Sequence, residues 1–135
     1  MMPMSLLISG ATLIDGVAER PIEGRSIWIE KGRIKAIGGR DELGMPPSVE
    51  VIDARGKYVI PGLMDANVHL FGAMTMERLA RHMDHYEDVI TESAQVALKN
   101  GLTTVFDTWG PRRFLMNVRD RINAGQGRAG IRWLC

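Results

Sequence analysis

Tyr58-Val59-Ile60-Pro61-Gly62-Leu63-Met64-Asp65-Ala66-Asn67-Val68-His69-Leu70 is the stretch on which the fold turns. Pro61-Gly62 punctuates it, and the run from Leu63 to Leu70 is mostly apolar and of strand length, the pattern of a strand buried on both faces of a parallel sheet. Side chains two apart on a strand share a face, so Asp65, Asn67 and His69 fall on one side while Ala66, Val68 and Leu70 face a helical layer. Active sites of parallel α/β folds lie at the C-terminal ends of strands, which places Asn67 and His69 at a functional rim. The same two residues also have a plain reading, as polar groups that bond to loop backbone.

Upstream, short strands alternate with turn residues. Leu6–Ser9 leads to Gly10 and Ala11–Ile14 to Asp15-Gly16, a hairpin-type turn. Ser26–Glu30 alternates polar with apolar, turns through Lys31-Gly32 and continues as Arg33–Gly38, a hairpin. A loop over Asp41–Ser48 precedes Val51–Asp53 and Lys57–Ile60, which flank Ala54-Arg55-Gly56. The expectation is a small antiparallel β unit over 1–57.

Downstream, a short helix over Thr75–Asp84 and a longer one over Tyr86–Asn100 are expected. The longer one places Val89, Ile90, Ala94, Ala97 and Leu98 on one face and stops at Gly101. Leu102–Asp107 restarts a strand; Gly110-Pro111 opens a helix with Leu115, Val118 and Ile122 at helical spacing; Ala129–Cys135 reads as a third strand. Strand, helix, strand, helix, strand argues for a parallel sheet with right-handed crossovers.

The 135 residues fall well short of the roughly 250 that a complete (β/α)8 barrel needs. Seventeen Lys and Arg oppose sixteen Asp and Glu, so no strong single-sign field points to nucleic acid or to an anionic membrane surface. The N-terminus lacks a basic n-region, and no apolar run approaches the ~20 residues of a membrane span. One cysteine, Cys135, excludes an internal disulfide and a Cys-based metal site, and the expected location is cytoplasmic.

The Tyr58–Leu70 segment resembles the first barrel strand of the amidohydrolase superfamily, in which Pro-Gly-Leu-(Ile/Met/Val)-Asp is followed by His-x-His. Ser9–Gly16, the hairpin Ile27–Ile37 and Val51–Lys57 resemble that superfamily's small β-sandwich, and Gly101–Asp107 resembles the second barrel strand of its imidazolonepropionase and prolidase branch. The resemblance implies an α/β chain: residues 1–57 as the N-terminal part of a β-sandwich, and 58–135 as the first βα units of a TIM-like (β/α)8 barrel completed by additional chain. One position departs from the pattern: Asn67 stands where the family has the first His. An amide oxygen is a neutral, harder and weaker ligand than imidazole. In having Asn-x-His the chain is similar to phenylurea hydrolases and molinate hydrolase, a subgroup mark rather than decay.

Implied with the family are metal-assisted hydrolysis of an amide, urea or carbamate-type C–N bond in a small molecule, and a divalent metal, Zn first with Co, Mn or Fe as alternatives, mono- or binuclear. Asn67 and His69 would be metal ligands. The remaining ligands and the catalytic Asp would come from later strands, on the C-terminal remainder of the hydrolase as a second chain, and the assembly is expected to be a homo-oligomer. Asp107, at the same rim, reads either as an outer hydrogen-bond partner or as a cap on the following loop or a partner of Arg112. Trp109 is a pocket wall for substrate or packing; His82 and His85 share an exposed helical face; Asp65 satisfies polar groups inside the barrel; Cys135 has no identifiable base to make it a nucleophile. The competing reading is a non-catalytic fragment or a degenerate ligand-binding scaffold of the same fold.

Overall fold

The computed structural model describes residues 5–44, 46, 48–72, 75–126 and 132–134. The chain divides into two units, Met1–Pro61 and Gly62–Cys135.

The first unit is one mixed sheet of β1 (Ser5–Leu13), β2 (Ile22–Glu30), β3 (Arg33–Gly38), β4 (Glu50–Asp53) and β5 (Tyr58–Val59). Its order is β3-β2-β1-β4, with β5 also on β1. The expected hairpin is present: β2 and β3 pair antiparallel, and Lys31 and Gly32 both take positive φ, 51° and 74°, the backbone of a tight two-residue turn whose twist matches its strands. Two expectations change. Gly10 does not separate two strands; it bends one, at φ +77°, within the register shift between Ile8 and Ala11 against β2, and its N–H donates to the buried Ser26 Oγ at 3.3 Å. Nor is the unit wholly antiparallel, because β4 and β5 both run parallel to β1. They form one interrupted edge: Ala54 N–H donates to Ser9 O at 2.8 Å, and Thr12 N–H to Lys57 O at 2.9 Å, either side of the turn at Arg55-Gly56. Tyr58 and Val59, read with the second segment, therefore belong to this sheet. A second sheet facing it is not among the described residues.

The second unit has three parallel strands, β6 (Leu63–Val68), β7 (Leu102–Asp107) and β8 (Arg132–Leu134), in the order β6-β7-β8. Between them lie α1 (Met76–Arg81), a 3-10 turn at Met83–His85, α2 (Tyr86–Lys99) and α3 (Arg112–Asn123). The expected short helix is thus broken into α1 and that turn. The rest of the expected third strand, 129–131 and Cys135, lies outside the described residues, as does the start of the chain through residue 4. Helical spacing is honoured: Ile90, Ala94 and Ala97 of α2 and Leu115, Val118 and Ile122 of α3 are buried, packed with Leu70, Phe71 and Val105. Tyr86 sits edge-on to Phe71 and Phe114, with centroids 4.8 and 5.3 Å away.

The helices cover one face of this sheet. Among the described residues the other face is open: Met64 of β6 is 77% and Phe106 of β7 43% exposed. Gly62 sets where β6 starts. A Cβ there would overlap the Oγ1, Cγ2 and Cβ of Thr103, while Leu63 N–H donates to Gly101 O at 3.0 Å. Gly62→Ala should lower stability by ~1–3 kcal/mol through overpacking against a strand. The double variant Gly62→Ala/Thr103→Ala should recover part of that loss in denaturant titrations; additive losses would refute the clash.

Candidate functional site

The rim at the C-terminal ends of β6 and β7 is level. Val68 pairs with Asp107, and the ladder extends a step further as Thr108 N–H donates to Val68 O at 3.2 Å. Alternation along β7 sends Val105 and Asp107, both buried, toward the helices, and Phe106 and Thr108, both exposed, to the open face.

Asn67 and His69 come together on that open side. Thr108 Oγ1 donates to Asn67 Oδ1 at 2.6 Å and lies 3.3 Å from His69 Nε2, so one hydroxyl touches both candidate donor atoms. The His69 ring stands edge-on to Trp109, with centroids 5.8 Å apart. Below them, Asp65 Oδ1 accepts the Asn67 N–H at 3.0 Å, at the register irregularity between Asp65 and Val68. Asp65 is thus exposed and serves the backbone of the site residue two positions on.

Asp107 is 4% exposed and lies on the helical side. Its Oδ2 accepts the Leu70 N–H at 3.0 Å and its Oδ1 the Trp109 N–H at 3.2 Å. Both of these partners are loop backbone, and Asp107 also borders the cavity that Trp109 lines. The carboxylate ties the segment after β6 to the segment after β7. Trp109, 60% exposed, lines a cavity of about 380 Å³ with Asp107, Thr108, Gly110, Arg112, Leu115 and Met116. His82 and His85 are exposed, and His85 Nδ1 is 3.3 Å from Asp88 Oδ2. Cys135 lies outside the described residues. In the first unit a second cavity, about 360 Å³, is bordered by Ser9, Arg40, Asp53 and Arg55. There the Arg55 side chain, then its backbone N–H, hold the exposed Asp53 carboxyl down at about 2.

Whether the rim suits a metal follows from its donors. Imidazole nitrogen suits Zn²⁺ and its first-row neighbours, the amide oxygen is a weaker neutral donor beside it, and both contact one hydroxyl oxygen. Four ligands are the usual minimum, and among the described residues no three His, Cys, Asp or Glu cluster. The pair fits as part of a ligand set. Thr108 was not singled out by sequence; its only signal is its place, one residue past a β-branched strand and on the parity opposite to Val105.

The sequence matches no family model. Molinate hydrolase, in a solved structure, superimposes with a TM-score of 0.86 at 41% identity over 96% of this chain and 29% of that chain. Phenylurea hydrolase B gives 0.86 at 37% identity, again over 96% and 29%. Adenine deaminase 3 of Rhizobium johnstonii is 34% identical over 103 residues, 75% of this chain and 14% of that protein. The chain therefore spans under a third of these relatives.

Replacing Asp107 by Asn keeps the shape but offers one acceptor oxygen to two backbone N–H groups. The expected cost is ~1–3 kcal/mol, with faster amide exchange at Leu70 or Trp109. Exchange at both amides equal to the parent's would show that the carboxylate does not hold this loop.

Proposed function

We infer that this chain, whose relatives support the amidohydrolase superfamily, is part of a metal-dependent hydrolase that cleaves an amide, urea or carbamate-type C–N bond of a small molecule. The observation that carries the reading is the convergence of Asn67 Oδ1 and His69 Nε2 at the end of a parallel strand. It is supported by 41% identity to molinate hydrolase and 37% to phenylurea hydrolase B, and by relatives that hydrolyse C–N bonds. We further propose that the first unit is the N-terminal part of a β-sandwich and the second the first units of a (β/α)8 barrel, with the boundary at Pro61-Gly62 rather than before Tyr58. The C-terminal remainder of the hydrolase, as a second chain, would supply the other ligands and the general acid–base, in an assembly that oligomerises in the cytoplasm.

In this reading Asn67 and His69 hold the ion, Zn²⁺ or a first-row neighbour. When bound, such an ion lowers the pKa of water toward neutrality and polarises a carbonyl. The chain's own residues do the rest. Asp65 fixes the Asn67 backbone, Asp107 fixes the loops that carry His69 and Trp109, and the exposed Trp109 ring offers an apolar wall to a small substrate beside His69. The polar rim above an apolar strand face, Met64 and Phe106, also fits a barrel interior that further strands would close.

The test is turnover of an aryl urea and a thiocarbamate by the protein assembled with its remaining chain, with and without chelator. Chelation should abolish amine release. His69→Ala should cost more than the roughly 100-fold that loss of an outer-shell partner costs. Turnover that survives chelator, or an unchanged rate in His69→Ala, would sink the metal reading; metal binding with no turnover of either substrate class would favour the ligand-binding scaffold.

A further inference from the structure

Thr108 has one hydroxyl proton and two neighbours that want it. At 2.6 Å the proton goes to Asn67 Oδ1, which has only lone pairs to offer. The contact from the same oxygen to His69 Nε2, 3.3 Å, is then a hydrogen bond only if Nε2 carries the hydrogen and donates. In that arrangement the two atoms that face each other across the rim are both engaged, Oδ1 as acceptor and Nε2 as donor. We propose that the Thr108 hydroxyl is a latch on the donor pair, holding His69 as its Nε2–H tautomer, which a cation entering through Oδ1 and Nε2 must open. This rests on the metal reading above and adds a positioning residue to it.

The geometry makes the latch specific to a hydroxyl. Thr108 lies on the open face of β7, is exposed, and is held in place by its own N–H on Val68 O rather than by its side chain. Thr108→Val therefore keeps the β-branched shape while removing the hydroxyl, and Thr108→Ser keeps the hydroxyl. Asn67 and His69 are both exposed, so water can take over the bonds that the hydroxyl loses.

Zn²⁺ titration by calorimetry on the assembled protein, stripped of metal beforehand, tests it. A hydrogen bond of ordinary net worth corresponds to a ~3–10-fold change, so Thr108→Val should bind Zn²⁺ tighter by about that factor and Thr108→Ser as the parent does. Long-range proton–nitrogen correlation spectra of histidine-labelled, stripped protein should show His69 as the Nε2–H tautomer in the parent and in Thr108→Ser, and a mixture in Thr108→Val. Equal or weaker Zn²⁺ binding by Thr108→Val, or an Nδ1–H ring in the parent, overturns the latch alone. Failure of all three proteins to bind Zn²⁺ removes the metal reading and the latch with it.

Discussion

Two parallel strands must end at the same height before their rim side chains can meet, and nearly everything about this site depends on how β6 is held against β7. The hold is made at both ends. At the start, Gly62 has no Cβ to collide with Thr103, and Leu63 N–H reaches Gly101 O at 3.0 Å. At the finish, the Asp107 carboxylate accepts one backbone N–H from each side of the gap, Leu70 and Trp109. A carboxylate accepting from backbone in a buried place is a strong anchor, because each N–H it leaves would be an unpaid polar group. Between these ends β6 carries register irregularities, and Asp65 turns back to serve the Asn67 N–H where the ladder is loosest. Asn67 and His69 reach one hydroxyl because of that bracing.

Which parts of this were legible in the sequence follows from the kind of information each needs. The faces of α2 and α3 were legible because a 3.6-residue period is written directly in Ile90, Ala94, Ala97 and in Leu115, Val118, Ile122. The β2–β3 turn was legible because Gly32, which takes positive φ at little cost, sits between two runs of strand pattern. The direction of β4 and β5 was not, since apolar alternation fixes which side a residue faces and says nothing of which way its partner strand runs. Gly10 was read as a strand end for a related reason: a bulge and a break look alike until the partner is known.

The site divides the same way. That Asn67 and His69 share a side is parity alone, and it holds. Asp107 was legible in principle: alternation with Val105, the apolar centre of Leu102–Asp107, assigns it to the helical side and away from the donor pair. Thr108 was out of reach, because its role comes from a contact spanning 41 positions to Asn67 and 39 to His69, and nothing local distinguishes it from any threonine after a strand.

The open face of the second unit also argues about the kind of place this rim is. Met64 lies toward its base beside Thr104, while Phe106 stands just below Thr108, so apolar side chains reach up to the polar rim of Asn67, His69 and Thr108. Leaving a Met or Phe side chain in water forfeits about 1.5–3 kcal/mol that burial would return. A surface selected to stay wet would carry polar residues along its whole height, and a face meant to be fully covered would not end in three hydrogen-bonding side chains beside an exposed indole. Apolar side chains beside a polar rim suit the proposed reading, in which further strands would cover this face and leave the rim open.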